Sequence, residues 1–207
     1  MVDMNALTES AADDIDTSDA SDEAEVVDTT RQASEVGEDE SRGAWAEAAR
    51  ELLLDAARKY RAVVTQRELA DGVQARTDIV TTQRMQQWLP DVLARVSKDC
   101  AARDEPNLAS LCVDASGSVG EGYSAALATA GDRPDDGDRH AAVVRLECYT
   151  HFGAPDLPAD GGLAALTPKL ESSRARTKKA AVAARPINMC PVCFMSIPPN
   201  GTCVNCD

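Results

Sequence analysis

Thr65-Gln66-Arg67-Glu68-Leu69-Ala70 is where the reading of this chain begins. A threonine followed three residues later by glutamate is a capping box: the hydroxyl accepts the N–H of residue 68, and the carboxylate returns to the N–H of residue 65. A helix therefore starts here and runs to about Arg76. Upstream, Trp45, Ala49, Leu52, Leu53, Ala56 and Tyr60 recur at helical spacing, with Arg50, Asp55, Arg58 and Lys59 on the other side. That pattern predicts an amphipathic helix ending near Tyr60. Downstream, Thr81 or Thr82 can cap a third helical stretch carrying Met85, Trp88, Leu89, Val92, Leu93 and Val96 on one side. Pro90 interrupts it, so the stretch is either one kinked helix or two helices meeting at Leu89-Pro90. Proline's preference for the first helical position favours a new helix from Pro90 to about Ala102. After Asp104-Glu105-Pro106 the period changes. It predicts a strand from Leu108 to Val113, a Ser116-Gly117 turn and a second strand from Ser118 to Tyr123.

Helix, capped helix, longer helix and hairpin, in that order, are the parts of a winged helix, a design that sets one helix in the major groove of DNA. The expected class is thus α+β and mainly helical, with a winged-helix-like domain over residues 43–127. That domain holds ten bases and twelve acids, so it has no overall basic footprint. Arg84, Arg95, Lys98 and Arg103 nevertheless gather around the third helix, against Asp91, Asp99 and Asp104.

Thr65-Gln-Arg-Glu-Leu-Ala70, Val92-Leu-Ala-Arg95 and Ser116-Gly-Ser-Val-Gly-Glu-Gly-Tyr123 together resemble the C-terminal winged-helix domain of alkylguanine–DNA alkyltransferases and alkyltransferase-like proteins. The likeness spans Val64 to Tyr123. It implies a DNA-binding scaffold in which Gln87 stands near the position of the family's base-flipping arginine, one turn from Arg84. Where the family carries its Pro-Cys-His-Arg nucleophile box, this chain has Leu108-Ala-Ser-Leu111, and Cys112 lies three residues beyond. The position of the family's phosphate-turning tyrosine is Gln66. Alkyl transfer needs thiolate, base and flipping residues together, so the resemblance implies the scaffold without the reaction. The DNA-contact candidates are Arg84, Gln87, Arg95 and Lys98.

The net charge of −14 is unevenly spread. Residues 1–42 carry fourteen acids and two bases, net −12, with no aromatic before Trp45. Such a segment buries too little apolar surface to offset the entropy of ordering, and is expected to be a disordered acidic tail. Its roles range from solubility to an electrostatic mimic of nucleic acid. Residues 128–138 read as a linker. Asp138 can cap a helix over 139–153 with Ala142, Leu146, Tyr149 and Phe152 on one face. His140 and His151 are the only histidines and stand about three turns apart, too far to share an ion. Residues 154–189 are expected as a flexible linker, whose Lys169–Met189 stretch, net +5 and alanine-rich around Ala180–Ala184, could be a short helix or a flexible basic segment. That stretch suits nucleic-acid backbone contact, the acidic tail as a cis partner, or simple solvation.

The last eighteen residues hold Cys190-Pro-Val-Cys193 and, after nine intervening residues, Cys203-Val-Asn-Cys206. Two C-x-x-C knuckles this close, with Pro198-Pro199-Asn200-Gly201 turning the chain between them, predict one structural Zn2+ bound by Cys190, Cys193, Cys203 and Cys206 in a ribbon over 190–207. Two disulfides or a redox pair are the alternatives. No signal pattern or membrane-length apolar run accompanies the thiols, so a reducing, cytoplasmic setting is expected. Between Cys190 and Asp207 there is no Lys or Arg, which points the ribbon toward protein contact, with Phe194 and Met195 as candidate anchors. The combined expectation is a non-enzymatic, bacterial-type DNA-binding regulator that also engages a protein partner. The alternative is an adaptor that uses both modules for protein recognition, and the least favoured is a thiol-based alkyltransferase-like enzyme.

Overall fold

The structure is a computed structural model that describes residues 30–129, 131, 133–183, 189–195, 197, 203 and 205–206. It is mainly helical. The elements run β1 (Arg31–Gln32), α1 (Ala33–Val36), α2 (Glu38–Ala57), β2 (Val64–Thr65), α3 (Gln66–Thr77), β3 (Ile79–Val80) and α4 (Met85–Ala102). A 3-10 turn (Leu108–Leu111), β4 (Cys112–Val113), α5 (Gly120–Thr129), α6 (Gly137–His151) and α7 (Pro168–Ala183) follow. The strands are two-residue clips, not layers. β1 pairs parallel with β3 through Arg31↔Ile79, and β2 pairs parallel with β4 through Val64↔Cys112.

The helical core rests on α2 and α4. Trp45, Ala49, Leu53 and Ala57 face inward from α2, and its alanines let neighbouring helices approach closely. Trp45 stacks at a tilt on Trp88 of α4, with ring centroids 4.5 Å apart. Its indole N–H donates to the Ile79 carbonyl at 3.1 Å, which ties α2 to β3. The predicted capping box is present: Thr65 Oγ1 accepts the Glu68 N–H at 3.2 Å, and Glu68 Oε2 accepts the Thr65 N–H at 2.8 Å. No described helix is long and apolar enough to cross a membrane.

Several expectations need correction. The acidic tail was expected to reach Arg42, yet Arg31 already lies in β1 and α2 begins at Glu38. Glu38, Asp39 and Glu40 form the first turn of α2, where carboxylates face the positive end of the helix dipole. Residues 1–29 lie outside the described residues. Pro90 does not divide the third helix, because α4 is continuous from Met85 to Ala102. Trp88 and Leu89 before it and Val92 and Leu93 after it bury in one core, so a break would split a continuous apolar stripe.

The expected hairpin is replaced. Leu108, Ala109, Ser110 and Leu111 are all buried, and the segment closes into a 3-10 turn started by Asn107, whose side chain accepts the Ala109 N–H. Asp114 Oδ1 then accepts the N–H groups of Ser116 and Ser118, forming a side-chain-held turn. The residues expected as the second strand enter α5, where Tyr123 is fully buried. Gly122 packs α5 closely on α4: a Cβ there would lie 3.6 Å from the Pro90 Cα. The cap of α6 is Asp136, not Asp138; its carboxylate accepts the N–H groups of Asp138 and Arg139. Part of the expected flexible linker is the sixteen-residue helix α7, which opens on Pro168 at the position proline favours.

Candidate metal centre

The four C-terminal cysteines come together. Their sulfurs all lie within 4.8 Å of one another, with Cys190–Cys206 at 3.8 Å and Cys193–Cys203 at 3.4 Å. A tetrahedral ion with metal–sulfur bonds of about 2.3 Å needs sulfurs about 3.8 Å apart. A disulfide needs about 2.05 Å, and all seven cysteines are free thiols. The cluster can therefore hold a metal ion with no open coordination position.

The knuckle geometry follows from its local hydrogen bonds. The Phe194 N–H donates to the Cys190 carbonyl at 2.9 Å, and the Cys190 N–H donates to the Met195 carbonyl at 2.8 Å. Chain direction reverses at Phe194, whose φ of 55° lies in the left-handed region. This turn aims backbone N–H groups at sulfur. The Met195 N–H draws the Cys193 thiol down to about 6, and the N–H of Cys193, backed by that of Val192, draws Cys190 down as well. Cys206 is pushed up to about 12, first by its hydrogen bond to Cys193. Crowded thiols share protons because four thiolates without a cation repel; a divalent ion removes that conflict. The Pro198–Gly201 turn and Val204 lie outside the described residues.

Phe194 and Met195, the predicted anchors, are 71% and 59% exposed. Val192 and Met189 beside them are exposed as well, so the knuckle presents apolar side chains outward.

Arg84, Gln87, Arg95 and Lys98 do share one face of α4, where Asp91 also lies. Arg84, Gln87 and Lys98 are exposed. Arg95 is engaged by carboxylates: Nη2 stands 2.5 Å from Asp39 Oδ1 and Nε 3.2 Å from Asp91 Oδ2. Its hydrogen bond holds the Asp39 carboxyl below the usual carboxylate range. Asp39 comes from the acidic run at the start of α2, so that run neutralises the arginine singled out as a reader. Burial pushes the Cys112 thiol up to about 12, and a thiol held that way supplies almost no thiolate at neutral pH.

Two features carried no signal in the sequence. Arg145 projects from α6 into the interior, 3% exposed. Arg174 of α7 joins Asp136 and Asp138 at the start of α6. Nothing in an arginine's spacing distinguishes such anchors from solvated charge. The chain matches no protein-family model, no curated protein and no solved structure.

Proposed function

We propose that this protein is a non-enzymatic interaction adaptor whose C-terminal module is a zinc ribbon, stabilised by one structural Zn2+ on Cys190, Cys193, Cys203 and Cys206 and presenting Phe194 and Met195 to a protein partner. Zinc is the favoured ion because an all-thiolate, closed tetrahedral site suits a borderline-soft ion with no geometric demand of its own. The observation that carries the reading is Phe194: a large aromatic residue, 71% exposed, in a left-handed backbone conformation that glycine adopts at no steric cost. Local strain kept at an exposed aromatic side chain supports a recognition role.

Phe194→Gly tests this directly, because it relieves the backbone while deleting the anchor. The full chain and the variant are compared for bound zinc and for proteins captured from the native host. Equal zinc with loss of a specific partner is the expected outcome. An unchanged set of partners at equal zinc content removes Phe194 as the anchor.

Duplex DNA remains the second reading, favoured by the exposure of Arg84, Gln87 and Lys98 on one face of α4. The exposed Arg176, Lys178 and Lys179 of α7 supply a further basic surface. Under this reading Arg84→Ala and Lys98→Ala weaken duplex binding, and affinity falls steeply with salt. Absence of duplex binding at low salt excludes it.

A further inference from the structure

Arg145 is a buried charge on which Asp138, among the described residues, acts only at a distance. Its Nη1 donates to the Ser110 carbonyl at 3.1 Å and its Nη2 to the Ala165 carbonyl at 3.3 Å. Among the described residues no carboxylate forms an ion pair with it. Asp138, a carboxylate of the same helix, is already held by Arg174, the Ser118 hydroxyl and the Val119 N–H. A guanidinium offers five N–H donors, so the two carbonyls leave the Nε–H and one hydrogen on each terminal nitrogen unused. Two carbonyl dipoles bridge the 3-10 turn to the 163–167 segment but do not balance a full charge removed from water. Burial accordingly pushes the Arg145 pKa down.

This guanidinium lines a cleft of about 280 Å³ between α6 and the segment leading into α7. Val63, Ala142, Leu146 and Leu166 supply apolar walls. At the mouth stand Arg61, exposed and with φ 64°, and the exposed Glu171. The other polar side chains are committed elsewhere: the Tyr149 hydroxyl donates to the Ala62 carbonyl at 2.7 Å, and Thr167 Oγ1 donates to the Gly117 carbonyl at 2.8 Å. The roof is fixed, because Tyr60 accepts the Leu163 N–H at 3.1 Å while its own N–H donates to Asp156 Oδ1 at 2.8 Å.

We propose that this cleft binds a small organic carboxylate, its charged end paired with Arg145 and its apolar body held between Leu146 and Leu166. The planar guanidinium fork matches a carboxylate, and the partnership supplies a counter-charge in direct contact. Arg61 and Glu171 offset each other, so the apolar walls and not the charge of the rim favour an organic carboxylate over the strongly hydrated phosphate. The inference is independent of the zinc module.

Sodium benzoate, titrated into the full chain at constant ionic strength, is the probe; the readouts are the Arg145 Nε–H resonance in chains that keep the arginine and titration calorimetry in every variant. A saturable shift is expected, with phosphate producing none. Arg145→Met should abolish binding. Ala164→Trp alters an exposed cleft residue, keeps the arginine and fills the space, so it should weaken binding at least about tenfold even if the Arg145 variant does not fold. No saturable shift with benzoate, an equal shift with phosphate, or unaltered binding by folded Ala164→Trp would each overturn the proposal.

Discussion

Arg174 of α7 grips both carboxylate oxygens of Asp136, the N-cap of α6, at 2.6 and 3.0 Å. The same guanidinium reaches Asp138 at 2.6 Å. One arginine thus fastens the start of α6 to the second turn of α7. Beyond Leu170 it is the only residue from Glu171 to Val182 that is not exposed. Most of α7 faces solvent, so its place beside α6 depends on this clasp, on Leu170 and on the Lys169 ammonium held by the Ala115 carbonyl.

The clasp sets a pH dependence. Arg174's hydrogen bond holds the Asp136 carboxyl at about 2, below its ordinary value. A carboxyl lowered on folding contributes stability that is complete above its unfolded value, about 4, and lost as pH falls through about 2. Amide protection across 171–183, relative to the intrinsic exchange rate at each pH, should therefore fall between pH 4 and pH 2 while the α2–α4 core stays protected. Arg174→Gln should produce the same loosening at neutral pH and raise the Asp136 carboxyl part of the way, because the Asp138 and Arg139 N–H groups still donate to it. Titration of the Asp136 carboxyl near pH 4 in the unaltered protein would refute the clasp.

The capping box predicts a local cost. Thr65→Ala removes the acceptor of the Glu68 N–H at the start of α3 and should destabilise the protein by about 1 kcal/mol. Glu68, held below its ordinary range first by the Thr65 N–H, should keep part of that depression, because the backbone donor survives. Denaturant unfolding checks the first outcome, and carboxyl titration the second.

What the sequence made legible was whatever depends on neighbours within one turn. Thr65 and Glu68 mark α3 because both partners of the cap lie three residues apart in the chain. The cysteine spacing likewise announced the cluster of four sulfurs. Legibility failed where a distant partner decides. Leu108–Val113 read as a strand from its apolar run, but Leu108–Leu111 packs among α2, α4 and α6 as a 3-10 turn. Asp39 looked like solvated tail charge because Arg95, fifty-six residues away, is what orders it. Composition also hid the first turn of α2, since acidic residues suit a helix start as well as a disordered segment.

Trp45 joins three elements and should be sensitive to a change that preserves its bulk poorly. Trp45→Phe keeps an aromatic ring against Trp88 but leaves the Ile79 carbonyl without its indole donor. Loss of a partner from a buried acceptor costs about 1–3 kcal/mol. Chemical denaturation should show that loss with an unchanged slope, since the exposed surface on unfolding barely differs. A cost near zero would mean that water replaces the donor and that the β1–β3 clip is open to solvent.

Metal removal should separate the two parts of the protein. The core from α2 to α6 is closed by Trp45, Leu53, Trp88, Val92 and Tyr123, none of which lies near the cysteine knuckles in sequence. Elemental analysis should give one zinc per chain, and Cys203→Ser should reduce it sharply because three thiolates leave a coordination position open. Chelation should leave most of the helical circular-dichroism signal and the cooperative unfolding transition in place. The Phe194 and Met195 resonances should collapse toward those of an unfolded peptide, because metal ligation replaces a core in so short a module. If chelation instead unfolds the helices, the metal centre must brace the core as well as its own knuckles, and Phe194 would owe its geometry to the whole protein.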